Sequence, residues 1–260
     1  MLATERHARI LRLVASRKVA STEELATHLQ VSAETIRRDI RVLDELGQLR
    51  RVRGGAASVS APIGEPRVEE RQLLRREEKA TIGRLAAGLL EDGQTVILDL
   101  GTTAMEVARA MAPRFRGVVA TNSLLVAGEL AAYRDIEVLV CGGRVRAGDL
   151  ALSNATSVDF FHGLNADIAL VSSGGVDAEH GLTDFYLDEI ATRRAMLRNA
   201  KRAFVLADSA KFGVVAPHFV AELGTELGLI TDRTPSAELE RAIVEKGGVV
   251  VSPSPVSAGV

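Results

Sequence analysis

The sequence predicts an α/β chain in two parts, a small helical module ending in a hairpin and then a larger domain built on a mainly parallel sheet. Three observations carry this. Apolar residues recur at helical spacings through the first 46 residues. A stretch holding two prolines and a glycine, with little apolar periodicity, follows at 58–70. Beyond it, short Val- and Ile-rich runs alternate with helical segments, the pattern of a parallel sheet covered on both faces. The predicted organisation is a module at 1–57, a linker at 58–70 and an α/β domain at 71–260.

Taken in order, residues 4–16 form a helix with Ile10, Leu13 and Val14 on one side. Ser21 or Thr22, with Glu24 behind it, starts a second short helix bearing Leu25, Ala26 and Leu29. Ser32 caps a third, in which Ile36, Ile40 and Leu43 recur at spacings of four and three. At about 100° per residue, Glu34, Arg38, Arg41 and Glu45 then face away from the apolar side, with Arg37 on the flank. Gly47 ends that helix, and "QLRRVRGGA" is an alternating, Arg-rich hairpin with a Gly-Gly turn. "SVSAPIGEPRVEE" (58–70) reads as the linker. Strands are predicted at 95–100, 117–121, 136–141, 166–171, 202–207, 227–231 and 247–252, and helices at 79–90, 103–112, 123–133, 185–200 and 236–246.

Composition narrows the function classes. A chain of 260 residues, 47 % hydrophobic, can bury a core and is neither disordered nor fibrous in character. Arg12 and Arg17 break the N-terminal apolar run, and no later segment offers about 18 uncharged apolar residues, so a soluble cytoplasmic protein without a membrane partner is expected. One cysteine, Cys141, excludes an internal disulfide. The five histidines lack metal-ligand spacing, so no metal and no cofactor are expected. The net charge of −2 conceals an asymmetry: residues 1–57 hold 11 Lys and Arg against 7 Asp and Glu, while the remainder carries −6. A basic module on an acidic body suits a polyanion at one end only.

Outward charge on a helix is ordinarily a solvated face. Here the helix is the second of two joined by a tight turn at Gln30 and Val31, preceded by a supporting helix and followed by a basic hairpin. That is the arrangement of a winged helix-turn-helix, whose second helix enters the DNA major groove. Residues 21–56, "STEELATHLQVSAETIRRDIRVLDELGQLRRVRGGA", resemble the N-terminal domain of the DeoR family of bacterial transcriptional regulators, with the Thr-Ile-Arg-Arg-Asp pentapeptide at Thr35 to Asp39 and the wing ending in Gly54 and Gly55. Ser32, Thr35, Arg37 and Arg38 open the recognition helix and are placed for base edges and phosphates. Arg41, Arg50, Arg51 and Arg53 suit phosphate contacts that fix register. Asp39 is expected to pair with a neighbouring Arg, because a carboxylate is repelled by phosphate.

In the second domain, "DLGTTA" (99–104), "TNS" (121–123), "CGGR" (141–144) and "SSGG" (172–175) follow strands, where open parallel sheets bind ligands and where helix N-termini attract anions. Gly101, Thr102 and Thr103 opening a helix form a candidate phosphate cradle, although ordinary turn chemistry uses the same residues. With "GLTDFYLDE" (181–189) and "ADSAKFG" (207–213), the order resembles the DeoR effector domain, which is similar to sugar-phosphate isomerases of the ribose-5-phosphate isomerase type. The resemblance, nearest to glycerol-3-phosphate regulon repressors, implies a phosphorylated sugar or glycerol 3-phosphate-like effector. It implies a pocket from Asp99, Gly101, Thr102, Thr103, Thr121, Asn122, Gly142, Gly143, Ser173, Gly174, Asp184, Glu189 and Lys211. Lys211 would balance phosphate charge, and Asp99, Asn122 and Glu189 would bind hydroxyls. Asp184 and Glu189 also fit a helix cap and its N-terminal carboxylate, and Lys211 a solvated loop lysine.

Two positions depart from the family pattern. Many relatives carry Gly-Ala-Asp-Gly where this chain has Ser172-Ser173-Gly174-Gly175, which removes a carboxylate that proton transfer would need. Asn154 stands where a glycine is usual. The expected protein is therefore a repressor binding an operator as a homodimer or homotetramer and released by its effector. An activator with the same helices and a sugar-phosphate isomerase are the rival readings.

Overall fold

The computed structural model describes residues 3–17, 19–46, 48–52, 54–58, 68–224 and 227–253. The chain divides into two compact units, Met1–Glu65 and Pro66–Val260.

The first unit runs α1 (Ala3–Arg17), β1 (Val19–Ser21), α2 (Thr22–Leu29), α3 (Ala33–Glu45), β2 (Leu49–Val52) and β3 (Gly55–Ser58). Ser21 is the N-cap of α2: its hydroxyl accepts from the Glu24 N–H at 3.1 Å, and the Glu24 carboxylate accepts from the Ser21 N–H at 2.8 Å. The helices close over Ile10, Val14, Leu25, Leu29, Ile36, Ile40 and Leu43, which the periodicity marks, and over Leu49 of β2, which it does not; Leu13 and Ala26 pack partly buried against them. Gln30 ends α2 in the left-handed region at φ 53°, making the tight turn into α3. Gly47 lies outside the described residues, as does most of the linker, 59–67. The predicted hairpin is β2–β3, and it gains an unpredicted strand: β1 pairs with β3, giving the order β1-β3-β2. The glycine pair serves both needs. Gly54 turns at φ +84°, and a Cβ on Gly55 would stand 2.8 Å from the Ser21 Cα, so only glycine lets β1 approach.

The second unit runs α4 (Val68–Leu73), α5 (Arg76–Ala87), β4 (Thr95–Leu98), α6 (Thr102–Met111), β5 (Gly117–Thr121), α7 (Leu124–Leu130), β6 (Ile136–Val140) and α8 (Ala155–His162). It continues through β7 (Ala166–Ser172), β8 (Gly175–Asp177), β9 (Gly181–Asp184), α9 (Leu187–Arg198), β10 (Ala200–Leu206), a 3-10 turn (Ser209–Lys211), β11 (His218–Ala221), β12 (Leu227–Ile230), α10 (Ala237–Val244) and β13 (Val250–Val251). All seven predicted strands enter one parallel sheet in the order β13-β12-β10-β7-β4-β5-β6. Alternate residues serve opposite faces: Val96 and Leu98 of β4 join the core beneath α5, α6 and α7, and Ile97 joins the one beneath α8, α9 and α10. The predicted pattern omits the antiparallel sheet β11-β9-β8. It also omits α8 and α4, the latter starting inside the stretch read as linker. No described helix is long and apolar enough to cross a membrane.

Candidate nucleic-acid interface and effector site

The cap of α3 comes from Ser32, whose hydroxyl accepts from the Thr35 N–H at 3.1 Å and lies 2.8 Å from the Thr35 hydroxyl. Both hydroxyls are thus partly engaged at the start of the recognition helix. Arg37, Arg38 and Arg41 are exposed on the face opposite Ile36, Ile40 and Leu43. Arg37 pairs with Glu34 at 3.0 Å, both well exposed. Among the described residues Arg38 and Arg41 have no ion-pair partner, so their guanidinium groups need shed none to meet DNA. On the wing, the Arg51 side chain is exposed and its N–H donates to Asp44 at 2.8 Å. Arg50 lies on the same strand, and Arg53 lies outside the described residues.

Asp39 points the other way. It is buried, and its partners come from α1 rather than from a neighbouring arginine: Arg6 Nε at 2.5 Å, Arg6 Nη2 at 3.0 Å and His7 Nε2 at 2.9 Å. Burial alone would raise its carboxyl, but Arg6 and then His7 outweigh it and hold the group below its ordinary value. A depressed folded-state value means that this contribution to stability is complete above about pH 4 and is lost as pH falls further. Asp39→Asn is expected to destabilise the N-terminal unit by about 1.5 kcal/mol. Urea unfolding at pH 7 checks this, and an unchanged midpoint would remove the clamp.

The loops named from the sequence gather at the carboxyl ends of the central strands. After β4, Gly101 takes φ +116° and opens α6 with no side-chain cap, leaving the first turn's N–H groups to an outside acceptor. The positive φ favours glycine, and a Cβ on Gly101 would in addition stand 2.9 Å from the Ser172 hydroxyl at the end of β7. After β5, Thr121 accepts from the Ser123 N–H at 3.1 Å, and Asn122 is buried, its Oδ1 without a hydrogen-bond partner among the described residues. A buried carbonyl oxygen left unpaired costs free energy and fits a donor supplied by a ligand. After β6, Gly142 and Gly143 are exposed. Asn154 caps α8, its Oδ1 accepting from the Ser157 N–H at 3.0 Å, and its amide lies where a Cβ on Gly143 would fall. After β7, Ser173 donates to the Leu206 carbonyl at 3.2 Å. After β10, Lys211 is half-buried at the end of the 3-10 turn, its N–H bonded to the Asp208 carbonyl at 2.9 Å.

The carboxylates among the predicted site residues converge on an arginine. Arg193 of α9, 2 % exposed, donates through Nε to Asp99 at 2.6 Å, through Nη1 to Asp184 and through Nη2 to Glu189 at 2.7 Å. Asp99 also accepts from the N–H groups of Leu100 at 2.8 Å and Ser172 at 3.0 Å. Asp184 caps the loop before α9 through Phe185 N–H at 2.7 Å and Tyr186 N–H at 3.1 Å. The second Glu189 oxygen is held by Arg146, which also binds Asp149 at 2.9 Å and stacks on the Tyr186 ring at 4.5 Å. Four carboxylates thus face two guanidinium groups. Burial, opposed by Arg193 but reinforced by Asp184, pushes Glu189 up to about 7. Among the described residues, no group of three or more His, Cys, Asp or Glu is arranged to hold a metal.

Residues 6–61 match the DeoR-like helix-turn-helix domain and residues 74–233 the DeoR C terminal sensor domain. The chain belongs to the DeoR family. DeoR-family proteins are transcriptional regulators, and this one is a DNA-binding regulator rather than an enzyme. It is 31 % identical to the glycerol-3-phosphate regulon repressor of Escherichia coli over 94 % of this chain and 97 % of that one. It is 35 % identical to the HTH-type transcriptional regulator GlpR of Haloferax volcanii over 96 % and 98 %. A ribose 5-phosphate isomerase A from Methanocaldococcus jannaschii aligns over 53 % of this chain and 54 % of its own, with 19 % identity and a TM-score of 0.39. Within this DeoR chain, a Cβ on Gly174 would stand 2.8 Å from the Asp184 Cα, so the loop there admits no side chain. Arg193 and Arg146 are not among the residues predicted from the sequence; the first is marked only by its i, i+4, i+7 spacing with Glu189 and Met196.

Proposed function

We propose that the protein represses carbohydrate-utilisation genes and is released from its operator by a small phosphorylated sugar or glycerol phosphate bound beyond the carboxyl ends of β4, β5 and β10. The observation that carries this is the pairing of an uncapped α6 start at Gly101 with the buried Asn122 oxygen, unpartnered among the described residues, just after the adjacent strand β5. The first suits phosphate and the second a hydroxyl donor. The carboxylate-rich cluster around Arg193 repels a dianion, which directs the phosphate toward Gly101, Thr102, Thr103 and Lys211 and the neutral end toward Asn122. Relatives named as repressors support the sign of the output. Binding without turnover agrees with Asp99, Asp184 and Glu189 being held by Arg193 and with Gly174 carrying no carboxylate, since proton shuttling needs a carboxylate free to act. Paired half-sites call for a homodimer or homotetramer.

The test is fluorescence anisotropy on a duplex selected by the protein from random DNA, at fixed salt, with glycerol 3-phosphate, fructose 6-phosphate and other sugar phosphates. One compound is expected to weaken binding about tenfold, within the usual range of coupling between sites. Tighter binding would favour an activator, and indifference to every phosphorylated compound would overturn the effector reading.

A further inference from the structure

The segment through which the chain enters the second unit is tied to the turn of the candidate effector site that carries Asp208 and Lys211. Helix α4 follows residues 59–67, which lead from β3 of the DNA-binding unit. Val68 is buried at its start, but Leu73 and Leu74 at its end stand exposed, so apolar burial does not hold that end down. Polar ties do. Lys79, itself buried, reaches back from α5 to donate to the carbonyls of Arg71 at 2.5 Å and Leu74 at 2.8 Å. Arg75, between the two helices, places its guanidinium 3.4 Å from Glu78 and 3.8 Å from Asp208. Asp208 is the buried cap of the turn that ends in Lys211, accepting from the Ala210 N–H at 3.0 Å. Arg75 itself sits at φ 53°, a left-handed conformation that side-chain-bearing residues seldom adopt and that persists only where the surroundings impose it.

We propose that residues 68–79 are a strap that reports occupancy of the effector site to the DNA-binding unit, with Arg75 as the positioning residue that holds the strap to Asp208 while the site is empty. This rests on the effector reading above. A phosphate at Lys211 and the α6 start brings a dianion beside Asp208. A planar guanidinium pairs with phosphate through two parallel hydrogen bonds, which outcompete a single 3.8 Å contact with a carboxylate. Arg75 then leaves Asp208, its backbone relaxes, and the strap moves with it. The differential contact between empty and occupied states is what a ligand-driven shift requires.

The experiment uses the full chain and needs no ligand at first. Arg75→Gly removes the guanidinium and suits the left-handed backbone, and Arg75→Lys keeps a charge as control. Hydrogen–deuterium exchange of peptides covering 68–74 and anisotropy on the selected duplex are measured together. Arg75→Gly is expected to speed exchange in the strap and weaken operator binding about fivefold, with non-specific DNA binding unchanged and Arg75→Lys closer to the wild type. Operator affinity of Arg75→Gly within about twofold of wild type would overturn the proposal. Glycerol 3-phosphate and fructose 6-phosphate then separate the two readings. If neither affects the wild type while Arg75→Gly still weakens binding, the effector reading fails, the reporting role falls with it, and only the coupling of Arg75 to the DNA-binding unit stands. If one releases wild type and Arg75→Gly from the same starting affinity by the same factor, the strap fails and the effector reading stands.

Discussion

Arg193→Met is expected to destabilise the second unit by about 3–5 kcal/mol, the usual cost of removing one partner from a buried ion pair. Three carboxylates, from the β4 loop, the end of β9 and the first turn of α9, converge on this one guanidinium. Methionine matches the volume of the stem, so the loss measures uncompensated charge rather than a cavity. The variant should regain stability as pH falls from 7 to 5 and the stranded carboxylates take up protons. Wild type carries a weaker dependence of the same sign. Glu189 in the folded chain is pushed up to about 7, above its unfolded value, so the folded state binds the extra proton and stability falls as pH rises from about 4.5 through 7. Glu189→Gln should remove that slope. Urea titrations at pH 5 and pH 8 measure both effects, and an Arg193→Met midpoint equal to wild type would show that the cluster does not pin the fold.

What the sequence revealed depended on how local the physics was. The seven parallel strands were legible because strands buried on both faces read as continuous Val and Ile runs, and the helix-turn-helix because Ser21, Ser32 and the 36, 40, 43 spacing mark starts and faces within a few residues. Strands β1, β8, β9 and β11 span three or four residues each, too short for a period to declare itself. At the candidate site, the glycine and hydroxyl loops named from the sequence lie together at the carboxyl ends of the strands. The arginine that organises the carboxylates was not legible, because Arg193 lies 94 residues from Asp99 in a helix rich in other arginines. Its signal was spacing: Glu189, Arg193 and Met196 form a buried i, i+4, i+7 stripe, and a charged residue inside such a stripe implies a buried partner. Asp39 teaches the same lesson, since the partner found 33 residues away replaced the neighbour that sequence proximity suggested.

Arg38→Ala is expected to weaken binding to the selected duplex ten- to a hundredfold, about 1–3 kcal/mol, while leaving the unfolding midpoint of the N-terminal unit unchanged. The two halves of that expectation come from one geometry. Arg38 is exposed on α3, one residue before the buried Asp39 clamp, and among the described residues it has no ion pair that its removal would break. Arg37 differs, being paired with Glu34 at 3.0 Å, so DNA must compete for it and Arg37→Ala should cost less. The form of the loss then assigns the contact. A base-edge contact relaxes selectivity at one operator position, whereas a phosphate contact weakens all sequences alike and lowers the salt slope by about one. Titrations at several salt concentrations against the selected duplex and its single-base variants distinguish these. An operator affinity unchanged by Arg38→Ala would remove Arg38 from the interface and shift the reading of sequence to Thr35 and Arg37.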